Sequence, residues 1–349
     1  MKKFTSILDL TDEIYGRVFL SLKGSLVLLE SRMKKHRTIR DLIDGIYRKV
    51  FLSVDWFLVP LENRVLNWYV RRYPNRFRAR LDACIEKSLQ YFEAQPTLIA
   101  DALFSFTLGI NETFEPRLAP IIQKGSEYCR QWKDPHLRML DRNYDAERDG
   151  AYCPNEVNPE ELSAPEKPWL TSLYADQLGL TEDYLAELEA IDDNGGYGTT
   201  HKLLACFNLK TFSTIPHEAI DLVIESTIAP MVRAQRRSRV DDVYCERVGM
   251  LQQLEQSGYH QYVQPAWILR IMRAQMEGGG WYEYRSFFRS QSDQHPSCLA
   301  LTALIDYRER RLKNRTGDSG PQRRELGQGF PWATEGEGGR TIENTQNGG

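Results

Sequence analysis

Apolar residues recur every three to four positions through most of the chain. That period predicts helices over 78–94, 97–110, 115–133, 169–178, 181–191, 199–212, 216–236, 242–257, 261–277 and 295–312. Strand-type alternation is almost absent, so the expected fold class is all-α. The same pattern is duplicated at the front. The segment 8–32 returns thirty-two positions later as 40–64, with Asp9/Asp41, Tyr15/Tyr47, Phe19/Phe51, Leu29/Leu61 and Glu30/Glu62 in register. Each copy reads as an amphipathic helix, and the pair predicts a helical hairpin region over 1–77. The period fails over 134–168, a polar insertion, and beyond 311, where the composition predicts a disordered tail.

Within the body, 78–310, three helices begin alike, near Thr199, Asp242 and His295. His201, Cys245 and His295 stand 44 and 50 residues apart at those starts, with a second apolar helix between successive members. A hairpin repeating at that interval predicts a helical solenoid or a closed ring, an α/α toroid. In a ring, the amino ends of the inner helices converge on one mouth. Titratable residues there would share a site, near partial positive charge.

Charge and cysteine usage refine this picture. The net charge of −3 hides an asymmetry, because residues 1–80 hold 17 Lys and Arg against 8 Asp and Glu. A basic arm on an acidic body suits an anionic membrane surface, self-association through the repeat, or the chain's own body; no nucleic-acid partner is expected. Asp9, Asp12 and Glu13 interrupt what a signal peptide would keep apolar, and no run approaches membrane-spanning length. Six scattered cysteines without a Cys-x-x-Cys pair point to a reducing compartment, so a cytoplasmic or peripheral-membrane protein is expected. In the insertion, Asp141, Asn143, Asp145, Glu147 and Asp149 alternate like a calcium loop, but Ala146 replaces the turn glycine and the closing Glu is missing.

Gln275-Met-Glu-Gly-Gly279-Gly-Trp281 reads Gln-x-x-x-Gly-x-Trp and resembles the structural repeat motif of terpenoid cyclases. The stretch from Ile191 to Tyr197 looks like a decayed copy. Val240 to Gly249 is similar to the zinc segment of protein prenyltransferase β subunits, with Asp241, Tyr244 and His295 on matching positions. Val243 stands where that family has its zinc cysteine, and Cys245 lies two residues on. The resemblance spans about 195–307. It implies an α/α toroid acting on an isoprenoid or other lipophilic substrate, with Arg236, Arg237 and Arg239 toward an anionic group.

Three chemistries fit these residue types. Zinc would take Asp241, Cys245 and His295, with His201 as a fourth ligand. An acid-initiated cyclisation would use Asp192 and Asp193, or Asp241 and Asp242, with His201 as the neighbour that stabilises the anion. Magnesium on a diphosphate would be clasped by the Asp-Asp-x-x-x-Glu run of Asp241, Asp242 and Glu246, with arginines 233, 236, 237 and 239 neutralising the leaving group. Tyr197, Tyr244, Trp281 and Tyr282 would line the cavity or pack between hairpins. The rival readings are a non-catalytic module that binds a lipid or a protein, and a carbohydrate-active toroid using paired carboxylates.

Overall fold

The computed structural model describes residues 59–95, 107–132, 135–139, 166–282 and 292–312. The chain divides into two units, 1–57 with 286–288, and 58–285 with 289–349. The first unit lies outside the described residues. So do most of the duplicated segment, the calcium-like run 141–149, Cys153 and the tail beyond 312.

The described part of the second unit is all helical. In chain order it comprises α1 (59–72), α2 (Pro74–Glu93), α3 (Ala119–Trp132), α4 (Glu166–Leu173), α5 (Ala175–Leu178) and α6 (Asp183–Glu189). Then follow α7 (Tyr197–Phe212), α8 (His217–Gln235), α9 (Asp242–Gln256), α10 (Pro265–Ala274) and α11 (Gln294–Tyr307). A single isolated bridge, Trp281 to Asp293, is the nearest approach to a strand among the described residues, and no helix there is long and apolar enough to cross a membrane.

The helices sort into two roles. α7 and α11 are buried on nearly every face, as is much of α9, which is what an interior helix requires. α8 buries one side and exposes the other. α9 packs against α11, and α7 packs against α4 and α8. Side chains fix the register: the Gln252 amide donates to the Ala303 carbonyl at 3.1 Å, and Gln256 donates to Asp306 at 3.0 Å. α9 and α11 therefore run in parallel with their amino ends together.

Two features place the edges of this unit differently from the sequence reading. The body begins before Arg78, because α1 is clamped to it. Glu62 pairs with Arg273 at 2.9 Å and with Arg270 at 3.4 Å, and Asn67 takes the Ala266 N–H at 3.0 Å. The insertion is also not uniformly polar in role. Pro135–Met139 forms a 3-10 turn that buries Leu137, Arg138 and Met139. Arg138 forks onto Asp176 at 2.7 Å and lies over the Phe212 ring at 4.7 Å, so its charge is paired where it is buried.

The Gln-x-x-x-Gly-x-Trp stretch is a clasp. Gln275 donates to the Cys84 carbonyl at 2.8 Å and to the Gly279 carbonyl at 2.9 Å, tying the end of α10 to α2. Trp281 is buried, and its indole N–H reaches the Ile271 carbonyl at 2.8 Å. Gly279 has φ +95°, and a Cβ there would run into the Lys87 carbonyl.

Candidate functional site

An aspartate stands at the start of each of the three inner helices. Asp193 accepts from the Gly196 amide at 2.9 Å and the Thr199 amide at 3.1 Å, and also from the Gly198 amide and the Thr199 hydroxyl. Asp241 accepts from the Tyr244 amide at 2.7 Å, and Asp293 from the His295 amide at 3.0 Å. These carboxylates satisfy amide donors that a helix start leaves unpaired. Burial works against the Asp193 anion, yet the hydrogen bonds from Thr199, Gly198 and Gly196 together hold its carboxyl below the ordinary range. A carboxylate so occupied is not an acid poised to protonate a substrate. Asp192 is exposed and accepts from the Asn194 amide at 3.1 Å.

Within the first turns of α7 and α9 the structure brings two groups together. His201 Nε2 lies 3.6 Å from Glu246 Oε1, and the Glu246 side chain is 7% exposed. Burial pushes the Glu246 carboxyl above the usual range, while His201, the Thr200 hydroxyl and Arg247 pull the other way. Glu246 Oε2 is buried and has no hydrogen-bond partner among the described residues. His295, on α11, feels the same neighbourhood. Burial lowers its pKa first; Asp293 opposes that, and the charge of His201 adds to it. Around His201 stand the rings of Tyr197 at 5.6 Å and Trp169 at 6.3 Å, and His136 stacks on Trp169 at 4.3 Å.

The buried guanidinium of Arg247 braces this corner. It donates to the Gly195 carbonyl at 2.6 Å and to Gln235 at 2.9 Å, linking α9 to the turn before α7 and to the end of α8. Gly195, at φ +90°, is pressed against α8, where a Cβ would stand 2.7 Å from that of Ala234.

The metal reading does not fit these positions. Among the described residues no group of three His, Cys, Asp or Glu side chains is placed to hold an ion. Asp241 serves as the cap of α9, and Cys245 is fully buried. Burial raises the Cys245 thiol well above its ordinary pKa, with Asp241 and Asp242 adding to the shift, whereas zinc takes the thiolate. The magnesium run fits no better, since burial disfavours the Glu246 anion that a hard cation needs and Asp242 is buried against its own helix start, accepting from the Val243 amide.

The remaining expected residues scatter. Tyr244 is buried, with its hydroxyl on the Trp267 carbonyl at 3.5 Å and Arg270 over its ring at 5.2 Å. Trp281 belongs to the clasp, and Tyr282 follows it half-buried. Arg236 and Arg237 are exposed and Arg239 is half-buried. Arg236 lines a separate cleft with Arg233. Sequence reasoning weighed Glu246 as a magnesium ligand and missed it as the partner of His201. It also missed His136 and Trp169, which bracket the polar insertion. Compared with known protein families, curated proteins and solved structures, the chain finds no match.

Proposed function

We propose that the chain is an acid–base enzyme for a lipophilic substrate of isoprenoid type, with Glu246, His201 and His295 as reactive groups at the mouth of a closed α/α ring. The observation that carries this reading is the Glu246 carboxyl, buried beside His201 with one oxygen unfilled. A carboxyl whose anion is disfavoured by burial holds its proton to higher pH, the direction a general acid needs. His201 stands where it can stabilise the carboxylate left behind or return its proton. His295, disfavoured as a cation, is a neutral base candidate on the neighbouring helix. The Trp169 and Tyr197 rings supply an aromatic surround that suits an apolar or transiently cationic substrate. The Gln275–Trp281 clasp, a junction between α10 and α2, supports reading the motif as one that resembles that of terpenoid cyclases.

The test is turnover of prenyl diphosphates and linear polyprenes by the purified full chain, with products identified by mass spectrometry. Glu246→Gln and His201→Ala should each cut the rate about a hundred-fold or more while the protein stays folded. Absence of turnover across the panel, or an unchanged rate in both variants, overturns the reading. A second reading, a non-catalytic lipid or protein binder, is favoured by one observation: Asp193 and Asp241 are spent on capping their helices. Ligand binding without turnover would select it.

A further inference from the structure

A second site shares no residue with the His201–Glu246 group. α1 and α8 flank an open cleft of about 900 Å³, lined on one side by Asn67 and Arg71 and on the other by residues of α8 from Glu225 to Arg233 and by Arg236 just past its end. Residues 259–265 and Arg311 complete it. The walls are held by polar clamps: Asn63 donates to the Arg236 carbonyl at 3.2 Å, and Asn67 donates to Gln264 at 3.1 Å. That size suits a small organic ligand.

The charge inside is one-sided. Arg71, Arg233, Arg236 and Arg311 face a single lining carboxylate, Glu225. Arg311 is engaged by Glu255 and by Gln261 at 2.9 Å. The side chains of Arg71, Arg233 and Arg236 make no ion pair or hydrogen bond within the structure described, and all three are exposed. A helix carboxyl end favours an arginine. Three arginines from two helices converging on one cleft are more than that requires. Ile228, Val232, Val263 and Pro265 give the same cleft an apolar wall. The Tyr259 hydroxyl already donates to Asp221.

We propose that this cleft binds the phosphate or diphosphate group of a small amphiphile. Arg71, Arg233 and Arg236 take the anion, and Ile228, Val232, Val263 and Pro265 take its apolar part. Guanidinium groups suit this because their paired N–H donors match phosphate oxygens. The site is independent of the proposed chemistry at Glu246.

Titration calorimetry on the full chain tests it with hexyl phosphate, inorganic pyrophosphate and hexanol. Flotation with vesicles containing phosphatidic acid separates a lipid headgroup from a soluble ester. Hexyl phosphate should bind more tightly than either pyrophosphate or hexanol. Arg233→Ala with Arg236→Ala should weaken it at least about ten-fold, with an unchanged melting curve. Glu225→Gln should tighten it, and His201→Ala should leave it alone. Vesicle capture lost in the same double variant assigns the lipid source; soluble binding without capture assigns a free phosphate ester. Failure of all phosphate probes to bind, or binding indifferent to the double variant, overturns the proposal.

Discussion

Buried against His201 and the first turn of α7, the Glu246 carboxyl keeps its proton to a higher pH than an exposed glutamate would, because burial disfavours its anion. That shift fixes the sign of a stability effect. A carboxyl whose folded pKa exceeds its unfolded value, about 4.3, contributes stability that is intact below that value and lost as pH rises through the folded one. Glu246→Gln removes the titration and keeps the shape. The melting midpoint of the variant relative to the parent should therefore rise between pH 4 and pH 8, by about 2–4 °C for each kcal/mol recovered. A difference flat across that range would mean that Glu246 is ionised and solvated. His295 has the opposite sign, since its depressed folded pKa makes the folded state lose stability as pH falls below about 6.5. Sequence spacing pointed to Cys245 as the middle member of the three repeat starts. The neighbouring residue faces His201 instead, because one step along a helix turns the side chain by about 100°. Cys245 lies on the packed side with Tyr244 and Val248, all three buried. A one-residue error in register is invisible to spacing alone when both residues are titratable.

At the scale of elements, the helices were legible because period 3.6 is written into every turn, and the expected bounds of α7, α8 and α9 match the observed ones within two residues. The repeat starts were legible too, and part of their likeness is capping: Asp193, Asp241 and Asp293 each accept amides that a helix start leaves unpaired. What the local pattern could not carry was contact between elements distant in sequence, such as α1 on α10 through Glu62 and Asn67. The glycine clasp offers a sharp test of one such junction. At Gly279 the positive φ and the adjacent Lys87 carbonyl both exclude a side chain, whereas Gly278 has open space around its Cα. Gly279→Ala should lower stability in chemical denaturation by at least about 2 kcal/mol, from backbone strain plus displacement of α2 from α10. Gly278→Ala should stay within about 0.5 kcal/mol of the parent. Equal effects at both positions would show that the turn does not hold the two helices in the way described.

At the scale of the molecule, five cysteines are distributed over five helices: Cys84 on α2, Cys129 on α3, Cys206 on α7, Cys245 on α9 and Cys298 on α11. All are free and buried. Burial pushes the thiols of Cys84 and Cys206 up to about 12, so the reactive thiolate is scarce as well as shielded. A free cysteine packs as a small hydrophobe, but whether these five belong to one cooperative core depends on packing that no local pattern encodes. Thiol labelling reads that directly. In a full-length Cys153→Ser chain, all five should resist a disulfide reagent under native conditions and react completely in denaturant. Their native-state rates should also fall together, because each is exposed only when the unit around it opens. Mass mapping of the modified sites distinguishes the outcomes. Uniformly slow labelling at all five positions fits one core built around α7, α9 and α11. Fast modification of Cys245 or Cys298 alone would mean that the inner helices part at their amino ends without global unfolding, and the buried environment that raises the Glu246 pKa would then be lost with it.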